Sequence, residues 1–492
     1  MKKSIIFCSL MMALSACNKQ IDDIKPLTQI DQQGLLSSVS GILEATAGNY
    51  ALLAATVYQT GIESYDIAMN NVDETRGNNV TLPTWAPANQ ISDAFFFQNA
   101  PTVTTGYAPI LYRGAYQIIT SINVTLEGIA SFKRSTFASL TASDQNSVLH
   151  AEGENRFLRA LTYFNLVNVF GKPYYQAGDN DLGVALKLTG SATEIPQRSK
   201  VKDVYAYIVA ELQASAQLMK APVAKGNSFG STGAAWALLS RVYLYMGGSV
   251  ANPDAASNTQ AVTYADSVLN QSNGAYTLAQ GAQYSNMFGD DSQGQLGKST
   301  TFSSNPEIIF CRDNSVGGNT VGILYHYFGD VGFGGFFLPS SDLLAQFATG
   351  DVRGSFFANN PASGFTETTK WYCLNSQGFS FAPTIFLRTG EIYLNQAEAY
   401  AKLGDMTHAR ADLKAVHSRA GLPASDIDNL ADGDVLIAIL NERRLELCFE
   451  GQNSFDYFRN GLSMTRTAAD FNGSSMTVQA TDAKVIFPIP NL

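Results

Sequence analysis

Three carboxylates near the C-terminus have a spacing that could support chemistry. Glu442, Glu446 and Glu450 recur at intervals of four, so they share one ridge of a helix predicted over 435–450. Paired carboxylates carry out glycoside hydrolysis, but catalytic carboxylates usually come from separate elements that face a cleft. We therefore interpret these three as part of an ionic lattice inside a helical scaffold. Candidate partners are Arg156, Arg159, Arg388 and Arg459.

Other chemical motifs are absent or isolated. The sequence lacks H-E-x-x-H, a Walker loop and a dinucleotide fingerprint, and its four histidines are scattered. A G-x-S-x-G match at 226–230 follows a predicted helix, whereas a nucleophile elbow needs a preceding strand. Asp290, Asp291 and Asp330 offer oxygen ligands for calcium, but without a recognisable spacing. We predict no catalytic residue, no metal site and no cofactor.

The secondary-structure elements that would position a site are predicted most clearly between Thr384 and Gly421. Apolar and small residues recur there at steps of three and four, on either side of a Gly404-Asp405 break. Ala397, Ala401 and Ala409 stand where two helices would meet, so the backbones can approach closely. The pattern predicts a tight antiparallel helix pair of the tetratricopeptide kind.

Such a pair cannot bury its apolar faces alone, so similar pairs are expected elsewhere. Segments 232–246 and 259–270 repeat the pattern, and further pairs are expected around 151–171 and 199–219. Because residues 271–382 separate the last pair from the others, we expect the pairs not to form one continuous array. The fold class is mainly α.

Two stretches, near 61–106 and 271–382, interrupt the helical pattern. They are rich in Gly, Asn, Ser and Pro, and we expect them to be irregular. Structureless loops this long are uncommon in a compact domain unless they are functional. The second stretch should contain short strands, for example at 307–311, and a short helix near 341–348.

The totals favour a globular, acidic protein. Of 492 residues, 45% are hydrophobic and 15% charged, which is enough for a large core. The formal charge is −10, and no basic runs are present, so nucleic acid is a poor fit as a partner. Beyond residue 17, the odd set of Cys311, Cys373 and Cys448 gives no disulfide framework. We expect buried thiols, with one bridged pair as the open alternative.

The N-terminus reads as an export signal. Lys2-Lys3 precedes a short apolar core, residues 5–16, which is too short to span a bilayer. Leu14-Ser15-Ala16-Cys17 resembles a bacterial lipobox, in which the cysteine is acylated and anchors the mature chain. We expect a signal peptide over 1–16, a lipid-anchored tether over 17–33 and a single domain over 34–492. An ordinary signal peptide is the alternative.

Two blocks carry a resemblance to a known family. Asn441–Gly461 (NERRLELCFEGQNSFDYFRNG) and Ala151–Gly171 (AEGENRFLRALTYFNLVNVFG) are similar to signatures of the SusD/RagB family, and the lipobox and the terminal IFPIP follow the family order. The resemblance implies about four tetratricopeptide-like pairs that support a large irregular, loop-rich ligand-binding face with a few short strands. It also implies a surface-exposed, lipid-anchored outer-membrane protein of a Gram-negative bacterium. Its expected partner is a SusC-like TonB-dependent transporter.

The resemblance also points to a ligand site. Sugar sites need exposed aromatic planes surrounded by amides, carboxylates and guanidinium groups, and in this family loops at the two irregular places supply an aromatic arc. Asp73, Arg76, Trp85 and Asn89 resemble the contribution of the first loop, and for the second loop we select Tyr325, Trp371 and Tyr372 as the candidate residues. The alternative is that each loop tryptophan packs its own loop onto the scaffold. Trp236 falls in a helical stripe and is predicted to be scaffold.

Three functions remain open. The first is a lipoprotein that binds oligo- or polysaccharide for import without catalysis, and the second is a peptide-binding member of the same family. The third is a lipid-anchored glycoside hydrolase that uses Asp or Glu from the loops, which the release of reducing ends from polysaccharides would identify. A tetratricopeptide adaptor without a small ligand is a further structural alternative.

Overall fold

The computed structural model describes residues 32–55, 64–86, 90–102, 105–221, 223–271, 275–285, 287–288, 305–313, 321–328, 333–371 and 382–491. Within these ranges the helices are α1 (Gln32–Leu35), α2 (Val39–Leu53), α3 (Tyr65–Arg76), α4 (Gln90–Phe95), α5 (Tyr107–Ser135), α6 (Ala142–Phe170), α7 (Val201–Leu218), α8 (Thr232–Met246), α9 (Ala255–Gln271), α10 (Ala282–Ser285), α11 (Ser341–Leu344), α12 (Thr389–Leu403), α13 (Met406–Arg419), α14 (Ser425–Asp428), α15 (Val435–Glu446) and α16 (Asn453–Arg459). The strands are β1 (Val80–Thr81), β2 (Leu182–Ala185), β3 (Arg198–Lys200), β4 (Ile308–Arg312), β5 (Tyr327–Phe328), β6 (Phe333–Gly334), β7 (Leu338–Pro339), β8 (Phe357–Asn360), β9 (Phe365–Thr368), β10 (Thr384–Arg388), β11 (Met464–Arg466) and β12 (Met476–Val478).

The helix pair α12–α13 forms as the sequence predicts. Gly404 turns the chain between the two helices with φ of +84°, a conformation that favours glycine. The Asp405 carboxylate then accepts a hydrogen bond from the His408 amide and caps α13. Ala397 and Ala409 are both fully buried in the cluster that joins the helices, which confirms the role of small residues at the contact.

Further helix pairs extend the scaffold. α6 packs on α7, and α8 packs on α9. Thr141 caps α6 through its hydroxyl, which accepts a hydrogen bond from the amide of Asp144. An ion pair of 2.5 Å joins Arg159 of α6 to Glu211 of α7. Trp236 of α8 packs half-buried against the main core, as predicted for a scaffold residue.

The expectation that the pairs form no continuous array is wrong. α9 packs directly against α12, although residues 272–388 lie between them in sequence. Ala261 and Ala399 share one buried cluster, and the Gln396 amide donates a hydrogen bond of 2.8 Å to Asp266. The apolar faces of both helices need a cover, and each supplies it for the other.

The described strands pair as two-stranded antiparallel ladders: β1–β7, β2–β3, β4–β10, β5–β6, β8–β9 and β11–β12. β4 lies where a strand was predicted and is buried in the main core, where Phe310 stacks on Phe386 of β10 at a centroid distance of 5.4 Å. α11 confirms the short helix near 341–348. Because the ladders are short and separate, this part of the molecule is built of hairpins and loops.

The stretch 61–106 is more regular than predicted. It contains α3, a twelve-residue helix of which only Met69 is not fully buried. A helix so rich in Asn, Asp and Glu has no apolar stripe, and this hid it from a periodicity analysis. Its polar side chains are paired inside the fold instead: Asp66, for example, forms an ion pair with Arg312.

Glu446 is the centre of an ionic lattice, as predicted. Arg388 lies 2.6 Å and Arg353 lies 3.5 Å from its carboxylate, and Arg419 is a third partner. Burial alone would raise the pKa of Glu446, but these guanidinium groups hold it well below its usual range. A carboxylate held in this way is unsuited to proton transfer at neutral pH.

Two details of the lattice differ from the prediction. α15 ends at Glu446, so Glu450 lies beyond the helix, yet it still pairs with Arg388 at 2.6 Å and with Lys370 at 2.8 Å. The remaining candidate arginines serve other carboxylates: Arg156 and Arg159 pair with Glu211, and Arg459 pairs with Glu398 and Asp456. The spacing of carboxylates along one helix indicates that cations must neutralise them, but it does not indicate which part of the chain supplies those cations.

The cysteines and the N-terminal segment bear on the redox state and on membrane attachment. Cys311 and Cys448 are buried and free of disulfides, whereas Cys373 lies outside the described residues. The predicted signal peptide and the anchor Cys17 also lie outside them. Among the helices within the described ranges, none is both long and apolar enough to cross a membrane.

Candidate functional site

Three ladders, β1–β7, β5–β6 and β8–β9, carry an exposed aromatic pair. Trp85 follows β1, and Phe365 opens β9, which packs beside β7. The two ring centroids are 4.5 Å apart, and the ring planes are tilted by 47°. Trp85 is 38% exposed and Phe365 is 44% exposed. We call these two residues the aromatic pair.

The backbone after β6 fixes the indole of this pair. Trp85 Nε1 donates a hydrogen bond of 3.3 Å to the carbonyl of Gly335. Gly335 has φ of +61°, and a Cβ atom built there would lie 2.9 Å from Cβ of Tyr327. Glycine is therefore required where the chain passes close to Tyr327 and still presents a carbonyl to the indole.

A buried carboxylate ties the β8–β9 hairpin to β5. Glu367 pairs with His326 Nδ1 at 2.8 Å, and it accepts hydrogen bonds from Asn360 at 2.9 Å and from Ser363 at 2.7 Å. Burial raises the pKa of Glu367, but these hydrogen bonds, first of all that of His326, bring it below its ordinary value. The hairpin that carries the aromatic pair is thus held by charge-assisted hydrogen bonds.

The aromatic pair can bind a flat ligand face. Two large rings in contact, each more than a third exposed, form an apolar surface on which a ring with apolar C–H groups can stack. Asn359 and Thr366 are exposed and face each other one register step away, on the opposite face of the hairpin from Phe365 because successive side chains of a strand alternate between faces. Within the described residues, no cluster of His, Cys, Asp and Glu is suited to hold a metal ion.

Two family models match separate parts of the chain. A model described as "Starch-binding associating with outer membrane" matches residues 22–244, which include Trp85 and the helices from α1 through most of α8. A model described as "SusD family" matches residues 374–491, which include α12, α13 and Glu446, the centre of the ionic lattice. The chain belongs to the SusD/RagB family.

Solved structures share the SusD/RagB fold with this chain. A SusD superfamily protein from Bacteroides thetaiotaomicron VPI-5482 has 24% identity and a TM-score of 0.75, over 92% of this chain and 96% of that one. A putative sugar-binding protein from Bacteroides vulgatus ATCC 8482 has 23% identity and a TM-score of 0.74, over 92% and 95%. A SusD-like carbohydrate-binding protein from the same organism has 20% identity and a TM-score of 0.72, over 92% and 95%. No curated protein matches the chain.

In this SusD/RagB fold, two of the aromatic residues selected from the sequence lie in the interior. Trp371 has no exposed surface, and its Nε1 donates a hydrogen bond of 2.8 Å to the carbonyl of Phe449. Tyr325 is equally buried, and its hydroxyl donates to Asn71 at 2.9 Å. Both side chains fasten their loops to the scaffold, so we do not carry them into the proposed ligand contacts.

Asp73 is likewise enclosed. Its carboxylate accepts hydrogen bonds from the amides of Ser454 at 3.1 Å and Phe455 at 2.7 Å, and so it caps the first turn of α16. Burial raises the pKa of Asp73 to about 7, despite these hydrogen bonds. A carboxylate that joins α3 to α16 has no face left for a ligand.

Arg76 has a similar structural role. Its guanidinium donates to the carbonyls of Lys484 at 2.8 Å and Val485 at 2.7 Å. It also lies over the rings of Phe97 and Phe487, at 4.7 Å and 4.5 Å from their centroids. Burial lowers the pKa of Arg76 to about 9. This arginine joins the C-terminal segment to α3 and is not available at the surface.

The remaining predicted contacts, Asn89 and Tyr372, lie outside the described residues. Of the described ones, the structure places Trp85 alone at the surface, and it brings Phe365 beside it. Sequence reasoning missed Phe365, although a signal was present. The Asn-Pro-x-x-Gly turn before it predicts a hairpin, whose second strand this phenylalanine would open.

Proposed function

We propose that this SusD/RagB-family chain binds oligo- or polysaccharide at the aromatic pair and delivers it to a SusC-like TonB-dependent transporter. It does so as a lipoprotein of the outer membrane, anchored through Cys17 and facing the cell exterior. It binds its ligand and catalyses no reaction on it.

The observation that carries this proposal is the exposed contact between Trp85 and Phe365. Large aromatic side chains rarely stay exposed in pairs unless a partner covers them. A pyranose ring presents a flat face of C–H groups, which matches an exposed aromatic plane. The family model is described as starch-binding, and two structural relatives are described as sugar- or carbohydrate-binding, which supports the same ligand class.

A hydrolase is less well supported. The carboxylates that suggested one, Glu442 and Glu446, are both paired with Arg353 in the interior, at 2.7 Å and 3.5 Å. Neither faces the aromatic pair's solvent-exposed surface, since both are buried. A peptide ligand remains the second candidate, because aromatic planes also accept apolar side chains.

Calorimetry on the soluble chain that starts after Cys17, against a panel of glycans and mixed peptides, tests the proposal. We expect one glycan class to bind, without the appearance of new reducing ends. Trp85→Ala and Phe365→Ala should each weaken that binding about tenfold, because the loss of one stacking contact costs about 1.4 kcal/mol.

Leu403→Ala is the matched control, since Leu403 is an apolar side chain with 37% exposure at the C-terminal end of α12, a helix that packs on α9 and α13. It should leave the affinity unchanged. Binding of peptides alone would move the protein to the second candidate function. Full glycan affinity in both aromatic variants would contradict the proposed site, and release of sugars would contradict the absence of catalysis.

A further inference from the structure

A groove lies on the helical scaffold, lined by none of the residues of the three ladders that carry the aromatic pair. It has a volume of about 670 Å³, which is within the range of small-molecule sites. One wall is the N-terminal half of α5, and the other is the chain from the end of β2 to Pro196. Every residue that lines it belongs to the described ranges.

Two tyrosines form the aromatic side of this groove. Tyr112 and Tyr116 are four residues apart on α5, so their side chains lie on one face of the helix, and their ring centroids are 4.9 Å apart. The rings of Phe170 and Tyr112 pack at right angles with centroids 5.3 Å apart, and the hydroxyl of Tyr116 donates to the carbonyl of Ala185 at 2.8 Å. Both rings are half-buried, so part of each faces the groove.

The opposite wall is held in place from the interior. Lys187 donates its amide to Tyr163 Oη at 2.8 Å, and its carbonyl accepts from Asn123 at 2.9 Å. Farther along, the amide of Gly190 donates to Glu127 at 2.9 Å. This wall presents Ile195, which is 88% exposed although it is one of the largest apolar side chains. Because these hydrogen bonds fix the wall in advance, a ligand that binds against it does not have to order it.

The charges in the groove do not balance. Lys187 Nζ lies 3.7 Å from the Glu194 carboxylate, so this cation and this anion offset each other. Arg113, one residue from Tyr112, also lines the groove, and within the described part of the chain it forms no ion pair. A guanidinium beside two tyrosine rings, in a chain with a net charge of −10, offers a local complement to an anion.

We propose that this groove binds a carboxylated saccharide, that is, a uronate residue of a glycan chain. The tyrosine rings would cover the flat C–H face of the sugar, and the Arg113 guanidinium would pair with its carboxylate through two parallel hydrogen bonds. Gln117 and Thr120, on the same side of α5, supply groups for the ring hydroxyls. The inference takes its ligand class from the proposed function, but it rests on residues that the aromatic pair does not share.

The test compares charged and uncharged forms of one sugar chain. The soluble chain is titrated with an oligogalacturonide and with the same oligomer in fully methyl-esterified form, and the acid series is extended to glucuronate and guluronate oligomers. We expect at least one acid oligomer to bind more tightly than its ester. Arg113→Gln should lower the affinity for the acid about tenfold and leave that for the ester unchanged.

Two variants keep the result interpretable. Arg134→Gln removes the same charge from the exposed last turn of the same helix, and it should have no effect. Tyr112→Ala should weaken acid and ester alike, with thermal unfolding as the check that the chain is folded. Equal affinity for acid and ester, an equal effect of the two arginine variants, or no binding of any uronate oligomer would overturn the proposal.

A variant of the aromatic pair distinguishes a failure of the groove proposal from a failure of the proposed function. Trp85→Ala should reduce binding at the three ladders and leave the response to Arg113→Gln intact. If Trp85→Ala changes no glycan affinity while Arg113→Gln does, the site in the proposed function fails and the groove stands. If Trp85→Ala lowers glycan affinity and Arg113→Gln does not, the groove proposal fails and the site in the proposed function stands.

Discussion

Glu74 of α3 is a buried carboxyl group with few partners that could stabilise a negative charge. Asn79 and the amide of Gly451 donate to it at 3.3 Å each, and among the described residues no cation lies within ion-pair distance. Burial, together with the neighbouring charge of Asp73, raises the pKa of Glu74 from 4.5 to about 8. The folded protein therefore holds this group protonated at a pH where the unfolded chain releases the proton.

The sign of the resulting pH dependence follows from this difference. Between about pH 4.5 and pH 8 unfolding releases a proton from Glu74, so rising pH favours the unfolded chain. Glu74→Gln removes the titration and keeps the hydrogen-bonding shape. We expect the melting temperature of the variant, relative to the natural chain, to increase from pH 5 to pH 8. A constant difference across that window would contradict the assignment.

The two tryptophans Trp85 and Trp371 show why the ligand site could be predicted only in part from the sequence. Both are tryptophans in stretches of similar composition, and sequence reasoning treated them alike. One is 38% exposed and the other fully buried, because the Phe449 carbonyl and the ring of Phe288 enclose Trp371. These partners come from distant parts of the chain, so residue type alone does not separate the two cases.

Among the elements, β10 and α15 depend on a shared cation. Arg388, the last residue of β10, contacts the carboxylates of Glu307, Glu446 and Glu450 at 2.6 to 2.7 Å. Each of these carboxylates has at most 6% of its side chain exposed, so water does not replace the guanidinium if it is removed.

Arg388→Met should therefore be strongly destabilising, by about 3–5 kcal/mol in the free energy of unfolding, because it leaves buried charges with fewer partners. Urea denaturation measures the change. Lys172→Met is the matched control, since it breaks an ion pair with Asp181 in which the side chains are 44% and 32% exposed. That exposed pair should contribute far less to the free energy of unfolding than the buried lattice does. Comparable losses in the two variants would contradict the role given to the lattice.

Elements with a strong apolar period could be predicted, and those without one could not. α12 and α13 carry small and apolar residues at steps of three and four, and both helices appear as predicted. α3 has the sequence YDIAMNNVDETR, in which the polar residues serve internal hydrogen bonds. A half-buried helix is predicted from its stripe of apolar residues, whereas a buried helix made mostly of polar residues has no such stripe.

For the whole molecule, the proposed anchor determines where the chain resides. Two or three acyl chains on Cys17 would give stable membrane association, with about 0.8 kcal/mol for each buried methylene. In a Gram-negative host, Cys17→Ser should move the protein from the membrane fraction to the soluble fraction, and glycan binding should persist. Retention of the variant in the membrane fraction would contradict lipid anchoring through this residue.

The direct contact between α9 and α12 has a consequence for how such proteins diversify. The 117 residues between Gln271 and Thr389 leave and rejoin the scaffold at two helices that already touch. The entropic cost of closing such an excursion grows only with the logarithm of its length. Length changes in the exposed turn between β8 and β9 can therefore accumulate over evolution at nearly constant scaffold stability, whereas β4, β10 and Arg353 are held by the core and the ionic lattice. One framework can in this way acquire new ligand preferences while its helices stay unchanged.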